Sequence, residues 1–158
     1  MRRKDREVAD DAKIDEIISQ SKICRLGFHD DGEVYIVPLN FGYVHKDNKR
    51  IMYFHSAKEG RKVDLIRCSP KVGFELDTAF EMWEADIACD FSAGYQSVIG
   101  TGIISELTDY ESKKAGLMEL MKTLTGKEQW TFDENMVNAV SVFQLEIEKL
   151  SCKEHMRS

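Results

Sequence analysis

The chain has 158 residues, 42% of them hydrophobic, with a formal net charge of −6 and a pI near 5.3. This length suffices for one well-formed core, so we expect a single domain over residues 1–158. The acidic balance excludes the general basic face that nucleic acids and membrane surfaces require, so we expect neither as a partner. No stretch approaches the roughly 20 apolar residues of a membrane span, and the first residues carry no apolar signal region.

Four cysteines are too widely spaced to indicate a zinc site or a redox pair. They are Cys24, Cys68, Cys89 and Cys152, with no CxxC pair and no Cys/His cluster. We therefore expect no metal and a cytoplasmic location, where thiols stay reduced. The N-terminal basic run predicts either a tail that clamps a partner or a solvated segment. Its members are Arg2, Arg3, Lys4 and Arg6.

The first elements in chain order are a helix and a hairpin. Asp10 or Asp11 can cap a helix whose apolar residues recur at helical spacing and which ends near Gln20 or Ser21. Residues 23–28 then read as a strand, and the polar HDDGE segment predicts a turn into the next strand.

The next run, YIVPLNFGYV over residues 35–44, alternates in a way that predicts one half-buried strand. Pro38 within it lacks a backbone donor, so it indicates a sheet edge or a bulge with backbone groups left for another partner. A flat heterocycle such as an isoalloxazine ring could use these groups near Leu39 and Asn40, together with the Asn40 amide. The alternative is an edge strand with a bulge and no ligand.

A second strand-like run, IMYFHSA over residues 51–57, leads into a short helix that opens with EGRK. Anions bind at helix starts, because the first N–H groups lack internal partners and carry partial positive charge. Ser56 can add a hydroxyl donor, while Arg61 and Lys62 can aim a planar fork and a point charge at phosphate oxygens. The pattern indicates a phosphate site, with a solvated basic helix end as the alternative. Neither GxGxxG nor GxxxxGK[ST] occurs to compete for that role.

The second half of the chain adds three strands and two helices. Residues 71–77, 97–107 and 141–147 alternate as strands, and residues 130–138 predict a short helical connection. Gly100 and Gly102 would leave one strand face bare enough for the close approach of a ring or chain. A helix capped near Asp109 is expected to end at about Thr125. Many strands with short connections and few helices predict a mainly β, α+β fold, an antiparallel barrel with a few surrounding helices.

Three segments, YIVPLNFGY, YFHSAKEGRKVDLIR and SVIGTG, together resemble the pyridoxamine 5′-phosphate oxidase-like flavin proteins. The likeness is greatest to their nitroimidazole-resistance branch, of which the opening MRRKDREV is also typical. It covers nearly the whole chain. It implies a split β-barrel with FMN bound at a homodimer interface, where each site uses both chains.

The resemblance also implies which residues would contact FMN. They are Pro38, Leu39, Asn40, His55, Ser56, Arg61, Lys62 and Ser97. The first three would line the isoalloxazine edge, and the histidine and first serine would lie along the ribityl chain and phosphate. The two basic residues would grip the phosphate, and the last serine would complete the pocket.

The function implied by the resemblance is an FMN-dependent oxidoreductase that reduces a small electron-poor substrate, with nitro compounds such as nitroimidazoles as candidates. His55 matches a histidine of that branch near the ring and is the implied catalytic residue. The alternative for His55 is a purely structural hydrogen-bonding role. The main rival function is a flavin-, haem- or deazaflavin-binding module without turnover. The chain lacks the basic and aromatic C-terminal segment with which the oxidase itself holds pyridoxal, which disfavours vitamin B6 phosphate oxidation.

Overall fold

The structure is a computed structural model that describes residues 3–157. Its strands are β1 (Glu7–Val8), β2 (Cys24–Asp30), β3 (Glu33–Leu39), β4 (Gly42–Lys46), β5 (Lys49–Ser56), β6 (Lys71–Trp83), β7 (Ser92–Leu107) and β8 (Ser141–His155). Its α-helices are α1 (Asp11–Gln20), α2 (Arg61–Cys68), α3 (Tyr110–Thr125) and α4 (Glu134–Ala139). The predicted connection over residues 130–138 is therefore helical only from Glu134 onward.

All strands belong to one sheet, in the order β3-β2-β6-β7-β8-β5-β4, with β1 added alongside β8. Every pairing is antiparallel. β3 and β4 lie at opposite ends of this order, and among residues 3–157 no pairing joins them. The sheet is therefore split, which confirms the predicted mainly β, antiparallel split-barrel class.

The run over residues 35–44 forms two strands, so the prediction of one strand was wrong. β3 pairs with β2, whereas β4 pairs with β5 at the other end of the sheet order. At the break, the Asn40 amide donates to the Lys22 carbonyl at 2.9 Å, and Phe41 is fully buried. Gly42 packs directly against the α3 backbone, where a Cβ would overlap Leu120. The alternating pattern keeps its phase across the break and therefore hides it.

The later strands are longer than predicted, and β8 continues through most of the C-terminal KLSCKEHMRS segment. The predicted bare face at Gly100 and Gly102 was also wrong, because the protein fills it. A Cβ at Gly100 would overlap the Lys149 carbonyl and the Phe74 ring, and one at Gly102 would overlap the Glu146 carbonyl. The register of β7 against β8 shifts between Thr101 and Gly102, so these glycines admit the neighbouring strand and leave no room for a ligand there.

The helices begin where their caps predict. Asp10 and Asp109 each accept a hydrogen bond from the backbone N–H three residues later, at 2.8 and 2.9 Å. α1 buries Ile14, Ile17 and Ile18 against the sheet. No helix among the described residues is long and apolar enough to cross a membrane.

A half-buried polar network ties α1 to the β4–β5 hairpin. The Asp15 carboxylate accepts hydrogen bonds from Tyr43 Oη at 2.6 Å, His45 Nδ1 at 2.6 Å and Arg50 Nε at 2.9 Å. Arg50 also donates to Asp11 at 2.7 Å. Burial opposes ionisation of Asp15, but these three donors prevail and hold its pKa below the usual value.

Part of the basic N-terminal run is held in place. Arg6 donates to the Tyr95 hydroxyl at 3.2 Å and to His155 Nε2 at 3.3 Å, while His155 Nδ1 donates to the Ala93 carbonyl at 2.8 Å. Because Arg6 can only donate, Nε2 is the acceptor and the proton of neutral His155 is on Nδ1. Arg3 pairs with Asp5, whereas Arg2 lies outside the described residues.

Candidate functional site

The free edge of β3 forms one border of the candidate site. β3 is the last strand at its end of the sheet order, so one side has no strand partner among residues 3–157. Pro38 is exposed there and lies opposite Arg25 of β2. The β2–β3 register shows no shift, so Pro38 is accommodated by the edge and not by a bulge.

The end of β5 forms the other border. The β4 pairing stops at Gly42 opposite Tyr53, so within residues 3–157 His55 and Ser56 pair only with β8. His55 is exposed, whereas Ser56 is buried and its hydroxyl donates to the Ala57 carbonyl at 2.7 Å. The split between β3 and β4 therefore leaves backbone hydrogen-bonding groups along β3 and at the end of β5 without a strand partner among the described residues.

Helix α2 follows β5, and the side chain of its first residue, Arg61, packs against β3. The Arg61 guanidinium lies over the Tyr35 ring, 4.7 Å from its centroid. Arg61 also donates to Asp30 at 2.7 Å and to Glu33 at 3.3 Å, and chiefly the bond to Asp30 raises its pKa. A predicted phosphate ligand is therefore already paired with two carboxylates of the protein.

Lys62 differs from Arg61 in this respect. It is half-buried, and its side chain makes no ion pair or hydrogen bond to any of residues 3–157. The amides of Arg61 and Lys62 lie in the first turn of α2, where no intrahelical acceptor exists. An ammonium group and two free amides therefore occur together at the start of this helix.

Asn40 and Ser97, two further residues predicted to contact FMN, differ in their distance from the split. Asn40 keeps its amide oxygen available, since its nitrogen is bonded to Lys22. Ser97 is on β7, where it pairs with Asp77 of β6 on one side and with Lys153 of β8 on the other. β7 is the third strand from β3 in the sheet order. At about 4.8 Å per strand, this separates Ser97 from β3 by roughly 14 Å within one chain.

A groove that the sequence reasoning missed lies on the outer face beside Pro38. It has a volume of 380 Å³ and is lined by Arg25, Gly27, Ile36, Gly73, Phe74 and Glu75. Gly27 and Gly73 are paired across β2 and β6, and a Cβ on either would meet no side chain within contact distance. A glycine within each of two strand runs was the available sequence signal.

The same outer face carries exposed apolar side chains. On β3 and β7 they are Val34, Ile36, Ile99 and Ile103. The end of the β6–β7 hairpin exposes another group, Phe80, Met82, Ile87 and Phe91. Such clustering on one face is characteristic of an interaction surface.

The antiparallel sheet, split between β3 and β4, defines a split-barrel protein. The chain belongs to the pyridoxamine 5′-phosphate oxidase family, whose sequence model matches residues 10–154. This confirms the family indicated by the sequence motifs. No curated protein matches the sequence. Among the described residues, no three His, Cys, Asp or Glu side chains form a group that could hold a metal ion.

Solved structures of similar fold include a proposed 5-nitroimidazole antibiotic resistance protein from Bacteroides thetaiotaomicron. It is 27% identical, with a TM-score of 0.80 over 94% of this chain and 86% of that one. An FAD-binding protein from Mesorhizobium loti is 23% identical, with a TM-score of 0.65 over 96% and 98%. An FAD- and haem-binding protein from Mycobacterium smegmatis is 14% identical, with a TM-score of 0.83 over 96% and 74%. At such identities the last two establish the fold alone.

Proposed function

We propose that this protein binds FMN at the split and uses it to reduce a small electron-poor substrate. The whole chain would act as a single FMN-binding domain. The proposed contacts are those implied by the sequence, namely Pro38, Leu39, Asn40, His55, Ser56, Arg61, Lys62 and Ser97. The observation that carries the proposal is the meeting of two free strand edges with the start of α2.

The shape of this region fits a ligand with a flat polar edge and a phosphate tail. The free β3 edge offers backbone donors and acceptors on alternate residues, next to the open Asn40 oxygen. The contact between Arg61 and Tyr35 puts the first turn of α2 against the same strand, about 13 Å along it from Leu39 at 3.3 Å per residue. FMN has these two ends, joined by its ribityl chain.

The charges of the first turn also fit a phosphate monoester, which carries about 1.5 to 2 negative charges near neutral pH. Lys62 and the free amides would bind its oxygens directly. Arg61 would contribute less as found, because Asp30 and Glu33 already accept its donors. Ser56 would offer its backbone amide, since its hydroxyl is bonded to Ala57.

A homodimer would supply the contact that one chain lacks. Ser97 is roughly three strand spacings from β3 within a chain, so its proposed contact with the flavin requires a second copy. The exposed apolar side chains of the outer face support such a copy, because a monomer would leave them in water.

FMN, when bound, supplies the electron transfer, while the protein supplies binding and orientation. His55 is exposed at the split margin and would contact the substrate or the ring from β5. Nitro compounds are the proposed substrates, supported by the 27% identity to the proposed nitroimidazole resistance protein.

Flavin titration of the purified protein tests the cofactor. We expect saturable binding of FMN, and a fall in affinity of about 30-fold when Arg61→Ala and Lys62→Ala are combined, because the ammonium and guanidinium groups both leave the phosphate. The matched control replaces Lys46 and Lys49, two lysines of the β4–β5 hairpin, with alanine, and it should leave the affinity unchanged. A protein that takes up no added FMN would exclude the proposal.

Reoxidation of the loaded protein separates an enzyme from a binding module. After reduction with dithionite, mixing with a nitroaromatic acceptor should reoxidise the protein faster than free reduced FMN. His55→Ala should slow this step while FMN affinity changes little. Reoxidation no faster than that of free reduced flavin would establish a binding module instead.

A further inference from the structure

A second group of positive charges surrounds a separate cavity near the C-terminal end of α2. The cavity has a volume of 330 Å³ and lies among the loop before α2, the end of β7, the first turns of α3 and the start of β8. Its lining includes Lys58, Arg67, Glu106, Lys113 and Ser141. None of the residues proposed to bind FMN lines it.

The only carboxylate in this lining is already satisfied. Arg67 donates to both oxygens of Glu106, at 2.9 and 3.2 Å, and the Ser141 hydroxyl adds a third bond at 2.7 Å. The bond from Arg67 contributes most to holding the pKa of Glu106 below its usual value. Arg67 and Glu106 thus form a neutral pair that leaves the other charges of the cavity unbalanced.

Lys113 is the unusual residue of this cavity. Its exposed fraction is only 7%, yet its side chain makes no ion pair or hydrogen bond to any of the described residues. Burial, and next the nearby charge of Lys58, lower the pKa of Lys113. Lys58 likewise has no partner within residues 3–157. Glu106 attracts the Lys113 ammonium group, but less strongly than Lys58 repels it. The Glu106 oxygens are bonded to Arg67 and Ser141, so Lys113 has no hydrogen-bond acceptor of its own in the described part of the chain.

We propose that Lys58 and Lys113 together bind a small oxyanion, a phosphate or a carboxylate, in this cavity. An anion placed there would relieve the repulsion between the two ammonium groups and give Lys113 the hydrogen-bond partner that the protein does not provide. The volume lies near the lower limit of ligand pockets, which fits a small ion or the charged end of a larger molecule. The site does not depend on the proposed FMN function.

Thermal unfolding with inorganic phosphate at constant ionic strength tests the site. The Arg61→Ala, Lys62→Ala protein, in which the proposed α2 phosphate site is weakened, should still show a saturable rise in Tm, because ligand binding to the folded state produces one. The next substitutions are made in this background. Lys58→Gln combined with Lys113→Met should weaken the apparent affinity by at least about tenfold. Lys114→Met removes an equal charge from the next position of α3 and should leave the response intact.

The proposal would be overturned if the Arg61→Ala, Lys62→Ala protein lost the rise in Tm with phosphate while a Lys58→Gln, Lys113→Met protein that retains Arg61 and Lys62 kept it. So would the absence of any response in the wild type to both phosphate and acetate. A response to phosphate alone would identify a phosphate site, and a response to both anions would identify a general oxyanion site.

A second measurement on the unaltered chain covers the case in which the substituted protein does not fold. In lysine-labelled protein, NMR titration should show the pKa of Lys113 rising when phosphate is added, because a bound anion favours the charged form. The signal of Lys114 serves as the internal reference. An unchanged titration of Lys113 at saturating phosphate would overturn the proposal.

Discussion

Two charged regions of this molecule differ in how completely the protein satisfies its own charges. In the Asp15 network, three donors from the β4–β5 hairpin converge on one carboxylate, and Asp11 adds a second acceptor for Arg50. Around α2, by contrast, Lys58, Lys62 and Lys113 have no partners among residues 3–157.

This difference separates stabilising charges from charges that are available to a ligand. A network that satisfies every partner holds secondary structure elements together and leaves little capacity for binding. Unpaired cations near a cavity or a helix start add little to stability by themselves, but they can bind anions. Arg61 lies between the two cases, because it contacts the candidate site while pairing with Asp30 and Glu33.

The largest effect is expected from Asp15→Ala. It should lower the free energy of unfolding by about 2–3 kcal/mol, because it leaves Tyr43, His45 and Arg50 without their shared acceptor. FMN affinity should not change. Urea unfolding and flavin titration measure the two quantities, and Asp11→Ala is the matched control, with a change within about 0.5 kcal/mol because Asp11 is exposed. A weakened flavin affinity in the Asp15 variant would show that the Asp15 network also contributes to ligand binding, which contradicts its purely stabilising role.

The stability that Asp15 contributes should depend on pH in the acid range. Its pKa is lower in the folded protein than the value of about 3.9 for an unfolded chain. The contribution is therefore complete above about pH 4 and disappears as the pH falls through the folded pKa. Urea unfolding from pH 7 to pH 2 should show the wild type losing its advantage over Asp15→Asn only below about pH 4. A constant difference across that range would contradict the assignment.

The smallest effects should distinguish the two adjacent cations of α2. Lys62→Ala should weaken FMN binding by about tenfold, whereas Arg61→Ala should weaken it only a few-fold, because Arg61 must give up its carboxylate partners to reach phosphate. Flavin titration of the two single variants measures the difference.

Removing the competing carboxylates provides the control for this comparison. Asp30→Asn combined with Glu33→Gln should release Arg61 and raise FMN affinity a few-fold. Equal losses in both single variants, with no gain on releasing Arg61, would mean that the ion pairs at α2 do not compete with phosphate.

Several local features followed directly from the sequence. Asp10 and Asp109 cap α1 and α3 as predicted, because capping depends on a side chain and an amide only three residues apart. Pro38 limited its strand to an edge or a bulge, since a missing N–H is a local property, and the sheet order with an unshifted register decided for the edge. The motif resemblance identified the family that residues 10–154 match.

Structural features that depend on contacts between residues far apart in the chain could not be predicted from the sequence. The separation of β3 from β4 depends on the bond between Asn40 and Lys22 and on the contact of Gly42 with α3, neither of which interrupts the alternation of residues 35–44. Gly100 and Gly102 were expected to leave open space, but whether a glycine faces a ligand or another strand is decided by its neighbours in the sheet.

The sequence by itself therefore determined the mainly β class, the helix caps and the family, because these depend on short-range patterns. Only the tertiary structure decided which of the cations are neutralised. Arg61 and Lys62 are adjacent in the sequence, yet one faces Asp30 and Glu33 and the other has no partner among the described residues. Lys113 is an ordinary helix lysine in the sequence, and only folding brings it, buried, beside Lys58. Charge pairing acts over a few ångströms in space, and the sequence does not contain that distance.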